Sequence, residues 1–118
     1  MSVGMPQMLR LQEFGSHVLR AFGQVPFHVG SSLVEKSGWR DVDVRLILSD
    51  AEYEQMGFGD PLAPQTNGRW VSTVLAWSAF GAALTDLPID FQIQQQTVAN
   101  AKYPHPRSAL FILCGGPK

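Results

Sequence analysis

From Asp41 to Leu48 the chain reads Asp-Val-Asp-Val-Arg-Leu-Ile-Leu, with charged and aliphatic residues alternating before an aliphatic run. A period of two fits a β-strand and not a helix. It puts Asp41, Asp43 and Arg45 on one face and Val42 and Val44 on the other. The β-branched and aliphatic content predicts a strand buried in its later half. Two carboxylates on one face, roughly 7 Å apart along a strand, repel each other unless something positive sits between them. A hard divalent cation, Mg²⁺ or Mn²⁺, is the natural candidate, because it takes carboxylate oxygens and keeps positions open for water and phosphate.

The rest of the chain supplies elements to support such a strand. Apolar residues at Met5, Met8, Leu9, Leu11, Phe14, Val18, Leu19, Ala21 and Phe22 recur at three- and four-residue spacing. They predict an amphipathic helix over 5–22, with Gly15 as a weak point and Gly23 as its stop. Pro26 leads a short strand over 27–29. A short helix over 51–56 is capped by Ser49 or Asp50. Residues 57–68, rich in Gly and Pro, predict an exposed loop. Residues 70–84 predict a helix buried on most of its surface, with Ala76, Ala79, Gly81, Ala82 and Ala83 giving close approach to a sheet. A strand over 89–93, a short helix over 94–101 and a closing apolar segment over 108–114 complete the order. This is an α+β (α/β) chain with a small sheet, and 118 residues suit one domain, 1–118.

Nine basic residues against ten acidic ones leave a net charge of −1, which argues against a dedicated nucleic-acid binder. The single cysteine, Cys114, forms no internal disulfide. No apolar run reaches membrane-spanning length and no leader peptide is evident, so a cytoplasmic protein with no membrane partner is expected.

A third carboxylate, Asp90, lies between Ile89 and Phe91. If its strand pairs beside the Asp41–Asp43 strand, three acids converge, an arrangement that is costly without a cation. The turn Gly30-Ser31-Ser32 fits the same picture: glycine lets backbone approach a phosphate, and serine hydroxyls and neighbouring N–H groups donate to it. Arg45 either contacts phosphate or pairs with an aspartate.

Val29-Gly30-Ser31, then Asp41-Val42-Asp43-Val44, then Ile89-Asp90-Phe91 resembles, in order and spacing, the nucleotidyltransferase superfamily typified by DNA polymerase beta. The likeness spans residues 27–93 and is closest to the minimal, single-domain members. It implies a small mixed β-sheet with flanking helices. It implies that Asp41 and Asp43 hold two metal ions and that Asp90 acts on the one activating the attacking hydroxyl. It implies that Gly30 and Ser31, with Ser32 beside them, contact the triphosphate of an NTP such as ATP. Two departures stand out. The segment Ser32-Leu33-Val34-Glu35-Lys36-Ser37 is less clearly of the family type, and the chain ends soon after the third aspartate.

The expected activity is transfer of an NMP from an NTP to a hydroxyl acceptor on a protein, nucleic acid or small molecule, with release of pyrophosphate. A protein partner or a second copy would then help to hold the acceptor. The alternative is a binding or regulatory module of the same fold, antitoxin-like beside a second protein. Plainer roles also exist: Asp41 and Asp43 as solvent-facing strand residues, Asp90 as a charge guarding a sheet edge, and Gly30-Ser31 as a simple turn. His28 reads as a satisfied sheet residue, Trp70, Trp77 and Phe80 as core, and Trp39 as packed under its loop or stacked on a base.

Overall fold

The computed structural model describes residues 5–30, 41–102 and 107–110. Ser31, Ser32, Lys36, Trp39, His105 and Cys114 therefore lie outside the described residues. The alternating stretch forms β2, Val42–Leu48, at the centre of a four-stranded sheet. On one side β2 pairs antiparallel with β1, Phe27–Val29, which in turn pairs antiparallel with β4, Ser108–Ala109. On the other side it pairs parallel with β3, Ile89–Gln95. The sheet is therefore mixed, and the fold is α+β.

A parallel pair needs a long crossover. Here the crossover carries α2, Asp50–Gln55, a 3₁₀ turn at Pro64–Thr66 and the long α3, Gly68–Thr85. Helix α1, Met5–Phe22, precedes the sheet, and α4, Gln96–Lys102, follows β3 directly. Ser49 is the N-cap of α2. Its hydroxyl accepts from the Glu52 N–H at 3.2 Å, and the Glu52 carboxylate accepts from the Ser49 N–H at 3.2 Å. Two otherwise orphaned donors are satisfied by this reciprocal box.

Burial alternates strictly in β2, and in β3 as far as Gln94. Val42, Val44, Leu46 and Leu48, with Ile89, Phe91 and Ile93, point into one core shared with Met8, Leu11, Phe14 and Val18 of α1 and Trp70 and Val74 of α3. Burial of β2 thus runs along one face for its whole length, not through its later half. The expectation failed because Arg45, Ile47 and their neighbours share the opposite, half-exposed face. The sheet is covered by α1 and α3 on its apolar side, while its other side carries Asp43, Arg45, Asp90 and Gln92.

Helix α3 also differs from expectation. Only Gly81 of the small residues is buried; a Cβ there would meet Phe14 Cζ at 3.0 Å and Ile89 Cγ2 at 3.1 Å. Ala76, Ala79 and Ala83 face outward, as do Leu75 and Phe80, which are 63% and 40% exposed. Phe80 is thus at the rim of the core and not within it. In the loop expected to be exposed, Phe58 is buried, its ring 5.5 Å from that of Tyr53. Among the described residues no helix is long and apolar enough to cross a membrane.

Gly15 is a contact point and not a weakness. It is buried in α1, and a Cβ there would collide with the backbone and Cβ of Leu110, whose N–H donates to the Pro26 carbonyl at 3.0 Å. In an exposed helix Gly→Ala gains about 1 kcal/mol. Here the gain is outweighed by overpacking worth about 1–3 kcal/mol. Gly15→Ala is therefore expected to lower the thermal midpoint, read by circular dichroism. An unchanged or higher midpoint would show that Leu110 does not seat there.

Candidate functional site

Strand register brings the acids together. In the parallel pair Asp43 lies opposite Asp90, so their side chains leave the same face of the sheet. The start of β2 is clipped to the start of β3 by the Val42 N–H donating to the Pro88 carbonyl at 2.9 Å. This anchors Asp41, one residue before β2, beside the start of β3. One carboxylate oxygen from each of Asp41, Asp43 and Asp90 lies within 4.8 Å of the others. A single cation can reach all three, and the donor set, carboxylate oxygens with open sides, suits Mg²⁺ or Mn²⁺.

Asp43 is the most constrained of the three. Burial pushes its carboxyl above the usual carboxylate range, Arg45 pulls it back, and the charges of Asp90 and Asp41 and a hydrogen bond with the Asp90 carboxyl raise it further. Arg45, with its side chain 14% exposed, reaches Asp90 Oδ2 at 3.4 Å and Asp43 Oδ1 at 3.6 Å through Nη2. Its Nη1 donates to the backbone carbonyls of Asp90, at 2.7 Å, and Val44, at 3.1 Å. Of the two roles read from the sequence, pairing with aspartate is the one seen in this arrangement.

Gly30 ends β1 with φ +80°, and a Cβ on it would run into the Asp43 carboxylate. The backbone thus reaches the acid cluster where only glycine fits. Gly30→Ala is expected to cost about 1–2 kcal/mol of backbone strain and also to displace the Asp43 carboxylate, weakening Mn²⁺ binding. Gly23, at φ +79° with nothing within 4 Å of an added Cβ, separates the two effects. Gly23→Ala should show a similar fall in thermal midpoint with Mn²⁺ affinity intact. Equal Mn²⁺ affinity in both variants would contradict the close approach of Gly30 to Asp43.

Val29, Gly30, Asp43, Arg45, Ile47, Gln92, Gln94 and Arg107 line a cleft of about 360 Å³ on the open face of the sheet. Gln92 and Gln94 were not anticipated as site residues, although they follow Asp90 by two and four positions and so share its face. Arg107 gave no sequence signal; it is carried in beside β4, with Nη2 3.2 Å from Asn100 Oδ1. His28 is on the other face, opposite Val44, buried in the core, and burial lowers its imidazole pKa. Of the sequence candidates, Gly30, Asp41, Asp43, Arg45 and Asp90 meet at one place; Ser31 and Ser32 fall outside the described residues. Comparison with protein families, with curated proteins and with solved structures finds no match to this chain, so its function is read from these residues themselves.

Proposed function

We propose that the chain is a metal-dependent nucleotidyltransferase moving an NMP from an NTP to a hydroxyl acceptor. The observation that carries this reading is the convergence of Asp41, Asp43 and Asp90 from two paired strands, beside a glycine whose Cβ would strike Asp43. Asp41 and Asp43 would hold a divalent cation, with Asp90 beside it. The cation would neutralise phosphate charge and make the acceptor hydroxyl more acidic. Asp90, the most open of the paired acids with its side chain 39% exposed, would orient that hydroxyl and take its proton. The hydroxyl oxygen bonds to the α-phosphorus, the α–β bridging P–O bond breaks, and pyrophosphate leaves. Positioning and charge, not a covalent enzyme intermediate, provide the rate. Such a reaction draws on the cytoplasmic nucleotide pool.

The test is isothermal titration of the wild-type chain with a panel of non-hydrolysable NTPs in the presence and absence of Mg²⁺. Mg²⁺-dependent binding is expected, and it should be lost in Asp41→Asn. Binding without any need for Mg²⁺, or none to any NTP, would overturn the reading. A second reading, a regulatory module working through a partner protein, is favoured by one observation: the outward apolar side chains Leu75 and Leu9, each 63% exposed, and Phe80. It predicts nucleotide binding without turnover until the partner is added.

A further inference from the structure

Resting on the metal-centre reading, we infer that Arg45 is a built-in counter-cation and that the centre takes one divalent ion, not the pair expected from the sequence resemblance. Two sets of contacts lead there. First, Arg45 Nη2 bridges Asp43 Oδ1 and Asp90 Oδ2 at 3.6 and 3.4 Å, which places positive charge between the two acids that face each other across β2 and β3. A second metal ion, sitting about 4 Å from the first in two-metal sites, would need that same space. Second, the guanidinium is tethered. Nη1 donates to the Asp90 carbonyl at 2.7 Å and to the Val44 carbonyl at 3.1 Å, and the side chain is 14% exposed. Swinging it out would break both bonds, so the residue is not a loose surface cation that a metal displaces freely.

Charge gives the same count. With all three acids ionised, as ligands of a metal must be, three carboxylates against one guanidinium leave two negative charges, which one divalent ion balances. A second ion would leave the partly desolvated cluster with an uncompensated excess of positive charge before any nucleotide arrives. The open side of the cluster is the one toward Asp41, the exposed member, and Arg45 has no ion pair there among the described residues. The single ion therefore sits between Asp41 and Asp43, with the guanidinium on the side of Asp90.

The experiment counts Mn²⁺ ions bound per chain at equilibrium, without nucleotide, by electron paramagnetic resonance of the free ion. Wild type should bind one. Arg45→Met, which keeps length and loses charge, should bind two, with the first at least tenfold tighter than in wild type. Arg45→Lys, which keeps the charge, should still bind one. Arg45→Gln retains a donor for the two carbonyls and serves if the methionine variant does not fold; it too should bind two. Two ions in the wild type, or one ion of unchanged affinity in the charge-free variants, would overturn the role of Arg45 and leave the metal centre standing. No ion in any of the proteins would overturn both.

Discussion

If the chain is the nucleotidyltransferase proposed above, Asp43→Asn is expected to reduce transfer by about 10³-fold, the scale set by deleting one preorganised electrostatic contact to a transition state. The carboxylate faces Asp90 across the strand pair and lies within reach of Asp41, so its loss would take away the acid that neighbours both of the others. The same change should affect stability in the opposite sense. Burial and the neighbouring acids raise the Asp43 pKa in the fold despite Arg45. A raised acid contributes stability that is fully present below its unfolded pKa and is lost as pH rises through the folded pKa. The metal-free wild type should therefore lose melting temperature as pH climbs out of the acid range toward neutrality, and Asp43→Asn should not. Near pH 7 the metal-free variant should melt above the metal-free wild type. Mg²⁺ at about 100 times its dissociation constant should raise the wild-type midpoint by about 10 °C and leave the variant unmoved. A variant that melts lower at neutral pH, or gains as much from Mg²⁺, would contradict the placement of Asp43 in a crowded, partly buried cluster.

Phe14→Ala is expected to cost about 3–5 kcal/mol, a large share of the roughly 5–15 kcal/mol that holds a domain folded. Phe14 is fully buried in α1 and lies edge-on to Phe91 of β3, with ring centroids 5.9 Å apart, and tilted against Trp77 and Phe80 of α3 at 6.3 and 6.1 Å. From α1 it touches both α3 and β3, the strand that carries Asp90. The absent Cβ of Gly81 makes room for it. Urea unfolding would show the loss as a lower midpoint with an unchanged slope. Phe14→Leu should cost clearly less. A loss below about 1 kcal/mol for the alanine variant would mean that the α1–α3–β3 junction is not packed as described.

The parts of this architecture written in alternation or in spacing were legible beforehand. The period of two from Asp41 to Arg45 placed both aspartates and the arginine on one face, and the helix over 5–22 was marked by Leu11, Phe14 and Val18. What lacked a local signature was not. Helix α3 is apolar almost all round, so its sequence does not say which side meets the sheet; Ala76, Ala79 and Ala83 turned outward and Gly81 inward. Strand β3 continues to Gln95, with Gln92 and Gln94 on its open face, where polar side chains cost little. It runs two residues beyond the strand expected over 89–93, and the following helix starts at Gln96 and not at 94. Gly15 could not be assigned its role from α1 alone, because the contact that requires it comes from Leu110, 95 positions later. For the same reason the cleft walls contributed by Gln94 and Arg107 emerge only once the strands are in register.

The most direct measurement is a crystal structure of the chain with Mn²⁺ and a non-hydrolysable NTP, with data collected for Mn anomalous scattering. We expect one anomalous peak at about 2.2 Å, the range of metal–carboxylate contacts, from oxygens of Asp41 and Asp43, with the triphosphate lying along Gly30. A nucleotide bound elsewhere, or an ion that ignores the three aspartates, would contradict the account.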